Sequence, residues 1–297
     1  MPLGSHVSAA GGVDKAPQRG ADIGCECIQV FTRNQRTWKA KPVGEDEAAA
    51  FRERRRALGI APVMSHASYL INLAAPDERT YERSCKALGE ELERCHALGI
   101  ELLNFHPGAH RDSGPDAGVR RIADALNGLC RDHPEAVAEV TLVLENVAGQ
   151  GTTVGRTFEE LAQIIERLDR PERFGVCLDT AHAFAAGYAL HTGRGWDDMW
   201  GQFQSCLGME RLRACHVNDS KVALDARKDR HELIGRGEIG PAAFRRLVTD
   251  RRTRDVPMFL ETPAGPAGWA KELAWLHQAA ARKHPCLPDI EARGPRL

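Results

Sequence analysis

FGVCLDTAHAFAAGY, residues 174–188, is the stretch from which the fold can be read. Its apolar run from Phe174 to Leu178 is long enough for a buried strand of a parallel sheet, and it stops at Asp179, where a carboxylate meets solvent. His182 follows three residues on, so two metal-ligand side chains project from one strand end and the turn after it. Five more apolar runs end the same way: PVMSH at His66, LLNFH at His106, LVLEN at Glu145, LRACH at His216 and MFLET at Glu261. With PLGSH, ending at His6, and CIQVFT, residues 27–32, the runs number eight. Amphipathic segments around 44–59, 79–98, 116–131, 157–168, 196–208, 240–249 and 268–283 separate them. The alternation predicts a single (β/α)8 TIM barrel over residues 1–283, with the carboxyl ends of all strands on the face that carries the site. A doubly wound sheet would instead gather ligands at one crossover.

Composition narrows the function. Of 297 residues, 42% are hydrophobic and 27% charged, which describes a globular domain with a large core. No apolar run is long enough to span a bilayer, and the N-terminus lacks a secretory pattern, so a cytoplasmic protein without membrane association is expected. Nine cysteines without paired spacing predict free thiols, with Cys25 and Cys27 on one face of the second strand. The net charge of −1 argues against nucleic acid, but bound divalent cations would turn it positive and concentrate that charge in the cleft.

The loops add detail. After the second strand, Arg33, Asn34, Gln35, Arg36 and Trp38 supply polar, planar and basic chemistry suited to DNA backbone and base edges, or else form a solvated loop with a buried tryptophan. In HASYLINLAAP, residues 66–76, Tyr69 and Leu70 either wedge between bases or pack on the barrel rim. His6 reads as a structural or supporting residue, and His110 as a bystander. Gly235, Gly237 and Gly240 lead into the following helix, and residues 284–297 read as a frayed tail.

The candidate ligands are His66, His106, Glu145, Asp179, His182, His216, Asp229, His231 and Glu261. Without cations their carboxylates would repel one another at a cost to stability. Mixed imidazole and carboxylate favours zinc, with manganese or iron also acceptable, and nine donors suit two or three ions with a bridging carboxylate. Ions roughly 4 Å apart suit in-line displacement at phosphorus.

GSHVSAAGG, FTRNQRTW, HASYLINLA, NFHPGAH, LENVAGQG, GVCLDTAHAFAAGY, HVNDSK, DRHELIGRGEIG and FLET together resemble the successive motifs of the endonuclease IV family of apurinic/apyrimidinic endonucleases, over residues 4 to about 276. The resemblance implies three Zn2+ ions, with Mn2+ able to substitute at one position. It places His66, His106 and a bridging Glu145 on the first zinc, and Glu145, Asp179, His216 and Glu261 on the second. His182, Asp229 and His231 take the third, and Glu145 and Glu261 are the carboxylates read as catalytic. It implies DNA contacts by Asn34, Gln35, Arg36, Tyr69 and Leu70, with Arg36, Tyr69 and Leu70 entering the duplex at the lesion. The implied reaction is hydrolysis 5′ to an abasic site by a metal-bound hydroxide, leaving a 3′-hydroxyl and a 5′-deoxyribose phosphate, with trimming of blocked 3′ ends. A monomer acting on double-stranded DNA, near the nucleoid if bacterial, is the corresponding expectation. Ala181, Ala189 and the segment HTGRGWDDMWGQF depart from the family pattern without removing a ligand. The rivals are a sugar isomerase or epimerase, which needs fewer ions, and a non-catalytic damage-binding module.

Overall fold

The computed structural model describes residues 1–290. Eight parallel strands close into a barrel. In chain order they are β1 (Leu3–His6), β2 (Cys27–Val30), β3 (Val63–His66), β4 (Leu102–Phe105), β5 (Thr141–Glu145), β6 (Phe174–Asp179), β7 (Leu212–His216) and β10 (Met258–Leu260), which closes onto β1. The two strands numbered between, β8 (Asp219–Ser220) and β9 (His231–Glu232), form a small antiparallel pair outside the barrel.

The strands are short and almost wholly buried, as expected where helices cover a parallel sheet. Alternation along each strand divides their side chains between two cores. Cys27, Met64, Leu102, Val143, Cys177, Ala214 and Phe259 form a compact cluster inside the barrel, one from each of seven strands. On β1 the corresponding place is Gly4, where a Cβ would sit 1.7 Å from the carbonyl oxygen of Cys27. Outward-facing apolar strand residues such as Ile28, Val63, Leu103, Leu142, Leu178 and Cys215 join the larger core beneath the helices.

All seven expected helices are present. They are α2 (Glu45–Ala57), α3 (Glu78–Leu98), α4 (Pro115–Asp132), α6 (Phe158–Ile165), α8 (Gly193–Cys206), α9 (Pro241–Thr249) and α10 (Gly265–Ala280). Their ends follow local chemistry: the Asp77 carboxylate accepts from Thr80 N at 2.9 Å to start α3, and Gly99, at φ 66°, ends it. Three short helices lacked a periodic signal: α1 (Ala16–Asp22), α5 (Pro134–Glu139) and α7 (Thr180–Ala185). At two turns or fewer, they are too short for an apolar face to repeat.

Two expectations need correction. Cys25 precedes β2 and packs in the outer core while Cys27 faces the barrel interior, so the pair shares no face, although all nine thiols are free. The expected tail is docked as far as it is described: Ile290 is buried against Leu233 and Ala264, and the Pro285 carbonyl accepts from Trp275 Nε1 and Arg245. Residues 291–297 lie outside the described part. Among the described residues no helix is long and apolar enough to cross a membrane.

Candidate metal centre

Two residues beyond each member of the inner cluster, alternation brings the next inward side chain to the carboxyl end of its strand. These positions are His6, Gln29, His66, Asn104, Glu145, Asp179, His216 and Glu261, a polar ring with one residue from each strand or its immediate end. The register agrees, with His6 opposite Gln29, His66 opposite Asn104, and Asp179 opposite His216. Five of the nine candidate ligands belong to this ring, and the other four come from the segments that follow the strands.

Glu145 sits at the junction. Its Oε2 lies 3.3 Å from His66 Nε2 and 3.4 Å from His106 Nε2, and its Oε1 lies 3.0 Å from His216 Nδ1 and 3.2 Å from His182 Nδ1. His216 Nδ1 is also 3.7 Å from Asp179 Oδ2 and 3.5 Å from Glu261 Oε2. Farther out, Asp229 touches two imidazoles, with Oδ2 3.2 Å from His182 Nε2 and Oδ1 3.2 Å from His231 Nε2. Three groups have donor atoms within 4.8 Å of one another: His66, His106 and Glu145; Glu145, Asp179 and His216; and Asp179, His182 and His231. All nine expected ligands therefore converge. Asp179 links the second and third groups as Glu145 links the first and second.

Neighbours orient the imidazoles. His66 Nδ1 donates to the Ala67 carbonyl at 2.7 Å, His182 Nδ1 to the Asn146 carbonyl at 3.0 Å, and His216 Nε2 to Gln29 Oε1 at 2.7 Å. Each contact assigns one ring proton and leaves the other nitrogen's lone pair for the cluster in the neutral ring. The carboxylates are held as well: Asp179 Oδ1 caps α7 by accepting from His182 N, while Asn218 Nδ2 donates to Asp179 Oδ2 at 2.8 Å. Glu261 accepts from Gln29 at 2.6 Å and contacts His6 Nδ1 at 3.1 Å, the supporting place foreseen for His6.

Charge coupling is strong. Burial pushes Glu145 up, but His216 and His106 outweigh it and hold the carboxylate well below its usual range. Burial pushes His182, His216 and His231 down, yet Asp179 and Asp229 raise His182, Cys177 with Glu145 and Glu261 raises His216, and Asp229 with Asp179 raises His231 to about 9. Without metal, protons on these rings neutralise the carboxylates. The donors fit divalent ions: buried His231 Nε2, though 3.2 Å from Asp229 Oδ1, makes no hydrogen bond of good geometry, and the mixture of imidazole and carboxylate suits zinc.

The loop residues divide. Tyr69 is 53% exposed, and its ring lies 5.1 Å from that of His66 and 5.7 Å from that of His106, a lid over the first group. Leu70 is half-buried, and the rest of the apolar run, Ile71 and Leu73 to Ala75, is buried. Asn34 and Arg36 are exposed, and Asn34 Oδ1 accepts from Arg36 N; Gln35 is half-buried, its carbonyl accepting from Ser68 Oγ. Arg33 departs from both readings of this loop, as a DNA-facing and as a solvated segment. It is buried, and its guanidinium donates to the Thr37 and Trp38 carbonyls and Glu90. Trp38 is half-buried beneath Arg83.

The sequence reading passed over Gln29, Asn104, Asn146 and Asn218. Asn146 directly follows β5 and Asn218 lies two residues beyond the end of β7, while Gln29 and Asn104 lie two residues beyond inner-cluster positions. Counting in steps of two would have found the latter pair.

The chain matches, over residues 17–279, the family model described as xylose isomerase-like TIM barrel. It is 62% identical to probable endonuclease 4 of Halorhodospira halophila, over 100% of both chains. The crystal structure of endonuclease IV from Thermus thermophilus superposes with a TM-score of 0.85 at 33% identity, covering 95% of this chain and 100% of that one. D-psicose 3-epimerase from Clostridium cellulolyticum shares the fold alone, with a TM-score of 0.68 at 13% identity over 96% of this chain and 100% of that one. The 62% identity to an endonuclease 4 over the whole chain, on a barrel whose carboxyl-end face gathers three groups of His, Asp and Glu, shows that this chain belongs to the endonuclease IV family.

Proposed function

We propose that this chain is a zinc-dependent DNA-repair endonuclease that hydrolyses the phosphodiester 5′ to an abasic site, leaving a 3′-hydroxyl and a 5′-deoxyribose phosphate, and that also trims blocked 3′ ends. The observation that carries the reading is the set of three donor groups joined through Glu145 and Asp179. A sugar isomerase needs no such third group beside a half-exposed tyrosine. The relatives named as endonucleases supply the substrate class.

In this reading His66, His106 and Glu145 hold one ion, Glu145, Asp179, His216 and Glu261 a second, and His182, Asp229 and His231 a third. Zinc bound there supplies Lewis acidity toward a phosphoryl oxygen and activates water. Glu145 and Glu261 are the catalytic carboxylates of this reading. Gln29, hydrogen-bonded to both His216 and Glu261, keeps that pair in register. Tyr69 and Leu70, with Asn34, Gln35 and Arg36 on the adjoining loop, contact the damaged duplex and close the pocket over the flipped sugar. Ser68 Oγ, donating to the Gln35 carbonyl at 2.9 Å, ties these two loops into one rim. The protein acts as a monomer in the cytoplasm.

The test is incision of a duplex carrying one abasic site beside the same duplex undamaged, with product ends resolved. A cut 5′ to the lesion that leaves a 3′-hydroxyl, in the damaged strand only, is the expected result. Metal-replete protein that leaves both duplexes intact but epimerises a ketose would replace this reading with the sugar-enzyme one.

A further inference from the structure

Between β8 and β9 the chain leaves the barrel and returns, carrying Asp229 and His231, and residues 233–240 then lead to α9. That returning segment contains Gly235-Arg-Gly237-Glu-Ile-Gly240, a G-x-G-x-x-G run opening a helix. Such spacing exposes backbone N–H groups to an anion, usually a phosphate. Here the anion is a side chain of the same protein. Asp219 is completely buried; its Oδ2 accepts from Gly235 N at 2.9 Å, Gly237 N at 3.0 Å and Gly240 N at 3.3 Å. Its Oδ1 accepts from Ser220 N at 2.8 Å and Ile239 N at 3.0 Å. No salt bridge to Asp219 occurs among the described residues; backbone N–H groups supply its hydrogen bonds and counter only part of its burial, which raises the carboxyl pKa.

The glycines are required by this approach. A Cβ on Gly237 would stand 2.3 Å from the Ser220 carbonyl oxygen and 2.6 Å from Asp219 Oδ1, and Gly235 and Gly240 have φ of 76° and 75°. Asp219 also pairs directly with Glu232, the neighbour of His231. The carboxylate thus joins the outgoing strand to the returning segment at the base of the excursion. Beyond this base, the excursion rests on α7 and its surroundings through Asp225 N to the Phe184 carbonyl, Arg227 N to the Ala185 carbonyl and Asp229 N to Gln150 Oε1.

We infer that Asp219 is a positioning residue for the outermost metal: by closing the glycine nest it holds Asp229 and His231 against His182. This rests on the reading of those three side chains as ligands of a third ion. The inner groups need no such device, because their ligands stand on or beside barrel strands.

The test compares wild type with Asp219→Asn and Gly237→Ala, each loaded with zinc and then equilibrated against buffers of decreasing free zinc. The expected result is that the third zinc equivalent binds roughly tenfold to a hundredfold more weakly while the other two are retained. In metal-free protein, amide hydrogen exchange across 229–240 accelerates by roughly the same factor, without acceleration in the barrel strands. Third-site affinity equal to wild type, despite faster exchange at 235–240, would overturn the inference. So would loss of the barrel's own protection in both variants, which would make Asp219 a residue of the fold. A wild type lacking a third equivalent would refute the ligand reading instead; exchange at 229–231, measured without metal, would still report whether Asp219 restrains that segment.

Discussion

The inner and outer halves of the candidate metal centre are built differently. Asp179 and His216 are completely buried on adjacent strands, in register with one another, and Glu145 is buried beside them. Asp229, by contrast, leaves 45% of its side chain exposed and stands on a loop of the excursion bounded by β8 and β9. The inner donors are restrained by the barrel hydrogen-bond ladder, so displacing one requires moving a strand. The outer donors are restrained by a few hydrogen bonds and can move at much smaller cost. One centre therefore combines a rigid part with a part that can adjust.

The hardest way to break this comparison is Glu145→Gln, which removes the carboxylate shared by the first two groups. Incision should fall by more than about 10³-fold, with zinc content reduced at the inner positions. Wild-type turnover in a metal-analysed sample would refute the bridging role. His231→Ala attacks the outer half alone: incision should drop roughly 10²-fold, with the outer zinc lost and the inner ones kept. Loss of every ion would show that the two halves do not load separately. Tyr69→Ala should weaken binding to the damaged duplex about tenfold, the order of one lost base-stacking contact, without changing zinc stoichiometry. A fall in zinc content would move Tyr69 from the DNA rim into the metal centre.

A last effect, read in stability and not in activity, concerns the support of the outer segment. Glu272 accepts from Ile234 N at 2.9 Å and from Thr262 Oγ1, and burial raises its pKa from 4.5 to about 7. Its folded-state pKa exceeds the unfolded one, so the folded chain binds the proton more tightly. The stability contribution is present below about 4.5, declines as pH rises toward about 7, and is lost above it, an effect of at most about 3 kcal/mol. Glu272→Gln, measured by denaturant unfolding of metal-free protein, should lack this pH-dependent contribution. Parallel pH profiles for variant and wild type would remove Glu272 from the account.

Much of the inner half was legible because a strand places alternate residues on the same side, and apolar runs ending in His, Asp or Glu mark where the core gives way to the site. His66, Glu145, Asp179, His216 and Glu261 were all identified in this way. Gln29 and Asn104 were not, since an amide resembles any polar residue until its partners are known. Asp219 was hidden for a related reason: its partners are backbone amides up to 21 residues away, and backbone groups leave no signature in composition. Arg33 was misjudged because arginine beside asparagine and glutamine suggests a solvent-facing loop, and only the Thr37 and Trp38 carbonyls reveal that it is enclosed.

Residue order alone specified the eight strand-helix units, the common face to which the strands point and the His, Asp and Glu donors gathered there. These follow from local periodicity. Which donors share an ion, which ring nitrogen faces inward and how the outer loop is held depend on barrel closure. Closure brings β10 beside β1 and puts Glu261 within 3.1 Å of His6, 255 residues apart in the chain. Such contacts depend on strand register and shear across the whole sheet, a collective geometry that no single stretch of sequence encodes.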